Sequence, residues 1–160
     1  MKAARVSELK IALKEKSQAE LLALTLRLAK FKKENKELLT YLLFESQDEE
    51  QYIRQIQEEI TDQFEQITAT SFYLIKKSVR KILRNTKTAI RYSQQKPTEV
   101  ELLLHFVNEL QGSLPTYRRS KVLRNLRERQ LARIQKIIDG LHEDLQYDYQ
   151  IELENLLADA

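Results

Sequence analysis

Apolar residues recur along this chain at steps of three and four. Ile53, Ile56, Ile60, Phe64 and Ile67 step by 3, 4, 4 and 3, which at about 100° per residue sets all five on one stripe of a helix. Leu21, Leu24, Leu28 and Phe31 keep the same rhythm. So do Leu123, Leu126, Ile134, Ile138, Leu141, Leu145 and Leu153.

Polar signals divide these stripes into elements. Ser7 can cap a short first helix from Glu8 to about Glu15, with Val6 as a hydrophobic staple. Ser17-Gln18-Ala19-Glu20 reads as a capping box, in which hydroxyl and carboxylate each take the other's free backbone amide. It opens a second helix through Phe31, which continues or breaks near Glu34-Asn35. The following run, Leu38 to Phe44, is apolar on nearly every side, and such a helix predicts deep burial. Ser46 to Glu49 is a second box before the isoleucine stripe, and Thr70 or Ser71 starts a helix over about Phe72–Tyr92. Ser93 to Pro97 reads as a linker, followed by a third box at Thr98 to Glu101 and a helix that stops at Gly112 with Pro115 beyond. From Tyr117 onward the stripe carries across Gly140, a residue that costs a helix interior about 1 kcal/mol relative to Ala. The expectation is one long C-terminal helix, or two nearly collinear ones kinked at Gly140.

These elements predict an all-α fold, a single domain over residues 1–160, built as an antiparallel helical bundle of five to seven helices. Composition agrees. Two glycines and two prolines in 160 residues leave little from which to build hairpin turns. The absence of cysteine excludes disulfides, thiolate metal sites and a thiol nucleophile. The longest uncharged stretch, Gln66 to Ile75, is far short of the roughly 20 apolar residues that span a bilayer. A soluble, cytoplasmic protein without membrane partners is expected.

Charge changes the picture more than composition does. The net charge is only +3, yet its sign alternates in blocks. Residues 67–98 hold eight basic residues and no acidic one; residues 117–138 hold eight basic and one acidic. Residues 45–66 and 139–160 are each −7. Within the first basic block Lys76, Lys77, Arg80, Lys81, Arg84, Lys87 and Arg91 fall in an arc of roughly 140° when phased on a helix. Like charges four residues apart repel by a few tenths of a kcal/mol per pair, so the face calls for an anion. One source is internal: Glu58, Glu59, Asp62 and Glu65 on the preceding helix, or the C-terminal acidic block. The other is external. Arg118, Arg119, Arg124 and Arg133 join the first face as candidate binding residues, because guanidinium forks match carboxylate and phosphate geometry. Tyr73, Tyr92 and Tyr117 lie near these runs and could stack on bases.

Candidate chemistry is sparse. The chain lacks a glycine-rich phosphate loop, and His105 and His142 are its two histidines. Asp139 stands three residues before His142 and Glu101 four before His105. Helical di-metal sites require a carboxylate and a histidine three apart on each of two helices, so the second spacing is wrong. No catalytic residue, metal site or cofactor is expected.

Two stretches, Ser7-Glu8-Leu9-Lys10 through Lys36-Glu37-Leu38-Leu39 and Leu141-His142-Glu143-Asp144-Leu145-Gln146-Tyr147-Asp148-Tyr149, resemble a family of small all-helical Bacteroidota proteins of unknown function. The resemblance implies an all-helical bacterial cytoplasmic protein and carries no activity. The sequence therefore predicts a non-enzymatic scaffold or interaction module that binds an acidic protein or itself. The alternative is a nucleic-acid-binding module using the basic faces of residues 72–92 and 117–138.

Overall fold

The computed structural model describes all 160 residues and contains eight α-helices and no strand. None of the helices is long and apolar enough to cross a membrane. The backbone divides into two compact units, residues 1–44 and 45–160, a boundary that the hydrophobic pattern does not mark.

The first unit comprises α1 (Val6–Lys14), α2 (Gln18–Phe31) and α3 (Lys33–Thr40), with a single π-helical turn over Tyr41–Glu45 at its end. Helix α1 starts one residue ahead of Ser7; the backbone amide of Arg5, not Ser7, meets the Glu8 carboxylate at 2.7 Å. The Ser17–Glu20 box forms as expected, at 3.2 and 2.8 Å. Extended backbone at Lys32 (φ −140°, ψ 150°) separates α2 from α3, and the Asn35 side chain donates to the freed Leu28 carbonyl at 2.8 Å. In this unit Ala29 and Tyr41 are the buried hydrophobic residues. The burial expected of residues 38–44 is not found: Leu42, Leu43 and Phe44 are exposed. All-round apolar character creates a demand for neighbours, and this unit does not supply enough of them.

The second unit is built round α6 (Lys96–Ser113), whose Val100, Leu102, Leu103, Phe106, Val107 and Leu110 are almost wholly shielded. Four helices pack against it: α4 (Glu49–Glu65), α5 (Phe72–Ser93), α7 (Lys121–Ile138) and α8 (Glu143–Ala158). Cross-links fix their directions. Thr98 Oγ1 donates to Glu49 Oε1 at 2.6 Å, and Thr61 Oγ1 lies 2.9 Å from His105 Nε2, so α4 runs alongside α6. Arg133 Nε reaches Glu99 Oε1 at 2.7 Å, and Arg127 Nε reaches Gln111 Oε1 at 2.6 Å, so α7 runs against it. Tyr149 OH donates to Glu101 Oε1 at 2.7 Å, and Gln111 Nε2 to the Leu156 carbonyl at 3.1 Å, which makes α8 parallel to α6 again. Phe64 and Phe106 meet at 5.5 Å between ring centroids, tilted by 55°.

Three local expectations are corrected here. Neither Ser46 nor Thr98 is the cap of its helix: α4 starts at Glu49 and α6 already at Lys96. Asp48 caps α4 instead, accepting from the Gln51 amide at 3.0 Å. The Glu49 carboxylate meant for the first box takes the hydroxyls of Ser93 and Thr98, tying α4 to the turn between α5 and α6. That turn is only Gln94-Gln95, and Gln94 adopts the left-handed conformation at φ 58°. Finally, the long C-terminal helix is two helices that double back. Gln135 Nε2 donates to Gln150 Oε1 at 2.9 Å, whereas collinear helices would hold residues fifteen apart some 22 Å away. The reversal occupies Asp139–His142. Gln146 closes it by donating to the carbonyls of Asp139 and Leu141 at 3.0 and 2.8 Å. A conserved apolar phase across Gly140 reports which face is buried, and both an extended and a folded pair satisfy it.

Candidate anion-binding groove

The basic face of α5 has the phase expected of it. Ile75, Val79, Ile82, Ala89 and Ile90 are buried, while Lys77, Arg80, Lys81, Arg84, Lys87 and Arg91 are exposed and Lys76 is half-buried. Internal pairing with acidic helices does not occur. None of these seven cations takes part in an ion pair; the one ion pair within α4 joins its own Arg54 and Glu50, at 3.8 Å. The physical reason is phase: α4 turns Ile53, Ile60 and Phe64 toward the core, and that leaves Glu58, Asp62 and Glu65 facing solvent rather than the outer side of α5.

The two basic helices come together instead. Both α5 and α7 flank α6, and between them lies a groove of about 700 Å³. Arg80, Lys87 and Arg91 line it from α5, and Arg129 and Arg133 from α7. Its floor includes Leu83, Ile90, Leu103, Val122 and Leu126, so cationic walls enclose an apolar base. The single carboxylate lining it, Glu99, is taken up by Arg133 at 2.7 Å and Lys96 at 3.3 Å. Partial burial pushes the Glu99 carboxyl up, but the hydrogen bonds and charges of Arg133 and Lys96 outweigh it and hold it below the usual carboxylate range. Arg133 is correspondingly raised by its hydrogen bond to Glu99. Arg80, Lys87, Arg91 and Arg129 remain without an ion-pair partner.

Four of the sequence-predicted binding residues therefore converge: Arg80, Lys87, Arg91 and Arg133. Lys76, Lys77, Lys81 and Arg84 lie elsewhere on α5 and do not line the groove. Arg118 and Arg119 fall in a 3-10 turn, Pro115–Arg119, because α7 starts only at Lys121 with Ser120 as its cap. Arg124 turns back to the Arg118 carbonyl. Arg129 belongs to the groove and was not singled out as a binding residue; the signal was its spacing of three, four and four residues from Leu126, Asn125 and Arg133. Tyr117 is not available for stacking on a base. It is buried, with the Arg118 and Arg127 guanidinium carbons 5.6 and 6.0 Å from its ring centroid.

The histidines lie outside this groove. Burial lowers the pKa of His105, and the nearby Glu109 only partly offsets this, which favours the neutral ring beside Thr61. His142 caps α8, its Nδ1 accepting from the Asp144 amide at 3.4 Å. The groove thus offers positive charge, Asn125 and Gln130 amides, and hydrophobic surface. Such a lining can hold an anion or an acidic amphipathic segment. No family model matches the sequence, and no curated protein or solved structure matches it either.

Proposed function

We propose that this chain is a non-enzymatic interaction module whose α5/α7 groove takes an acidic amphipathic segment of a partner protein in the cytoplasm. One observation carries the reading: four unpaired cations surround an apolar floor. A helix presenting Leu or Ile at every third or fourth position fits such a floor, with its flanking carboxylates meeting Arg80, Lys87, Arg91 and Arg129. Exposed charges steer association and set specificity, while the desolvated floor supplies affinity.

Nucleic acid is the second reading, favoured by the cationic surface that continues outside the groove through Lys76, Lys77, Lys81 and Arg84. The two separate in one binding experiment. Fluorescence anisotropy would compare a labelled sixteen-residue Leu/Glu amphipathic peptide, a polyglutamate of equal charge, duplex DNA and single-stranded RNA over a salt series. The expected order places the amphipathic peptide at least tenfold tighter than polyglutamate, with binding lost in Arg80→Glu/Arg129→Glu. Tighter binding of DNA or RNA, falling steeply with salt as counterions are released, would replace this reading with the second. Indifference to all four probes would remove both.

A further inference from the structure

The α5/α7 groove suits an acidic amphipathic helix, and this chain carries one. Phased at about 100° per residue, Tyr147, Ile151 and Ala158 of α8 share an arc of roughly 40°. The arc points away from Tyr149, Leu153 and Leu156, the residues that α8 buries. It faces solvent, with Tyr147 70% and Ile151 40% exposed. Carboxylates border it on both sides: Glu143 and Glu154 within about 40° of Tyr147, and Asp144 and Asp148 within about 60° of Ile151. Glu143, Asp148 and Glu154 take part in no ion pair, and Asp144 meets only the exposed ring of His142, at 3.6 Å.

Helix α8 cannot turn this face into its own groove. The Tyr149–Glu101 and Gln111–Leu156 hydrogen bonds hold its inner side on α6. Helix α7 also stands in the way: its Gln135 faces α8, whereas its Arg129 and Arg133 face the groove from the opposite flank. A second copy of the chain meets neither obstacle.

Length and register agree with that occupant. The lining runs from Arg80 to Arg91 on α5 and from Val122 to Arg133 on α7, roughly 16 Å at the helical rise, and Glu143 to Glu154 spans the same length. Asp144 and Asp148 stand four residues apart, as do Lys87 and Arg91. Laid antiparallel to α5 and α7, the α8 of a second copy sets its Asp144 beside Arg91 and its Asp148 beside Lys87. The same register brings Tyr147 to Arg129, where a guanidinium can rest on the ring, and Ile151 over Leu83 and Leu126 of the floor. It also places the positive N-terminal end of the α8 dipole over the negative C-terminal ends of α5 and α7. Resting on the groove reading above, we propose that the partner is a second copy of this chain, whose α8 docks antiparallel along α5 and α7 through its Tyr147–Ile151 face. Groove and face are different surfaces, so the contact is head-to-tail and assembly grows until a ring closes.

Sedimentation of the full chain over a concentration series tests this. Self-association is expected, weakened roughly tenfold or more by Lys87→Glu/Arg91→Glu in the groove and equally by Asp144→Asn/Asp148→Asn on α8. Mixing the two variants guards against loss through misfolding. The first keeps its α8 face and the second its groove, so an equimolar mixture should form one contact and stop at a heterodimer. The labelled amphipathic peptide separates this inference from the groove reading, because the Asp144→Asn/Asp148→Asn chain keeps an open groove and should bind the peptide as a monomer. A wild-type chain that stays monomeric up to about 200 μM, where a contact with a Kd of roughly 100 μM is still populated, overturns the self-docking. Peptide binding by that monomer would leave the groove reading standing alone. Failure of the α8 variant to bind the peptide removes the groove reading and this occupant together. Assembly that persists in either variant, or variants that stay monomeric when mixed, overturns the α8 contact.

Discussion

Helices α2 and α6 carry closely similar patterns and meet opposite fates. Each is apolar round most of its circumference and is interrupted along its length by a few polar residues, such as Thr25 and Arg27 in α2 and His105 and Asn108 in α6. In α6 nine of eighteen residues are buried, and in α2 one of fourteen, Ala29. What differs is the company each helix keeps. Helix α6 touches α4, α5, α7 and α8, whereas α2 packs within its unit chiefly against the short α3. The contrast teaches that an all-round apolar helix states how many neighbours it needs, while the rest of the chain decides whether they are present. Where they are not, large apolar side chains are left exposed.

The largest effect expected from this contrast is in mutational cost. Phe106→Ala on α6 should lower unfolding stability by about 3–5 kcal/mol, because it removes a ring packed on Phe64 and leaves a cavity. Leu28→Ala on α2 should change unfolding stability by less than about 0.5 kcal/mol, because Leu28 is exposed. Chemical denaturation at low protein concentration measures both, and equal costs would break the comparison. A smaller effect tests how α6 is anchored. Glu49→Ala leaves the Ser93 and Thr98 hydroxyls without their acceptor and should cost about 1–3 kcal/mol, with Glu49→Gln recovering part of it.

The smallest effect concerns the boundary of α6 with α8. Burial, and then the negative charges of Glu101 and Asp148, raise the Glu152 carboxyl above its usual range. Burial and the hydrogen bond to Glu101 likewise push the Tyr149 hydroxyl upward. A carboxyl with a raised folded-state pKa binds its proton more tightly in the folded protein. Its favourable contribution is full below the unfolded value of 4.5 and is lost as pH rises through the folded one. Glu152→Gln should therefore raise the melting temperature slightly at pH 7 and leave it unchanged at pH 4. A stabilisation that is equal at both pH values would locate its cause elsewhere than in charge.

Helical content was legible in the sequence because periodicity and the scarcity of glycine and proline act locally. The cationic face of α5 was legible for the same reason, and the structure leaves it as exposed as its phase requires. Other features depended on partners distant in sequence. Ser46-Glu49 and Thr98-Glu101 have the composition of capping boxes, but Asp48 caps α4 and Glu49 also receives the hydroxyl of Thr98, forty-nine residues away. The direction of α8 was hidden because an apolar stripe is unchanged when a helix folds back. The groove was hidden because it exists only where α5 and α7 both run against α6. Leu42, Leu43 and Phe44 were misjudged because hydrophobicity measures the demand for burial and not its supply.

The position of α6 has a consequence for biosynthesis. It is the third of the five helices in its unit to leave the ribosome as well as the one at the centre. When α4, α5 and α6 have emerged, the sides of α6 that will receive α7 and α8 are still bare. Among them are Leu103, which floors the groove, and Gln111, whose amide awaits the Leu156 carbonyl. At roughly 5–20 residues per second that interval lasts seconds. The nascent chain is most exposed to misassembly then, and a chaperone that holds apolar helices would matter most before residue 156 has cleared the exit tunnel.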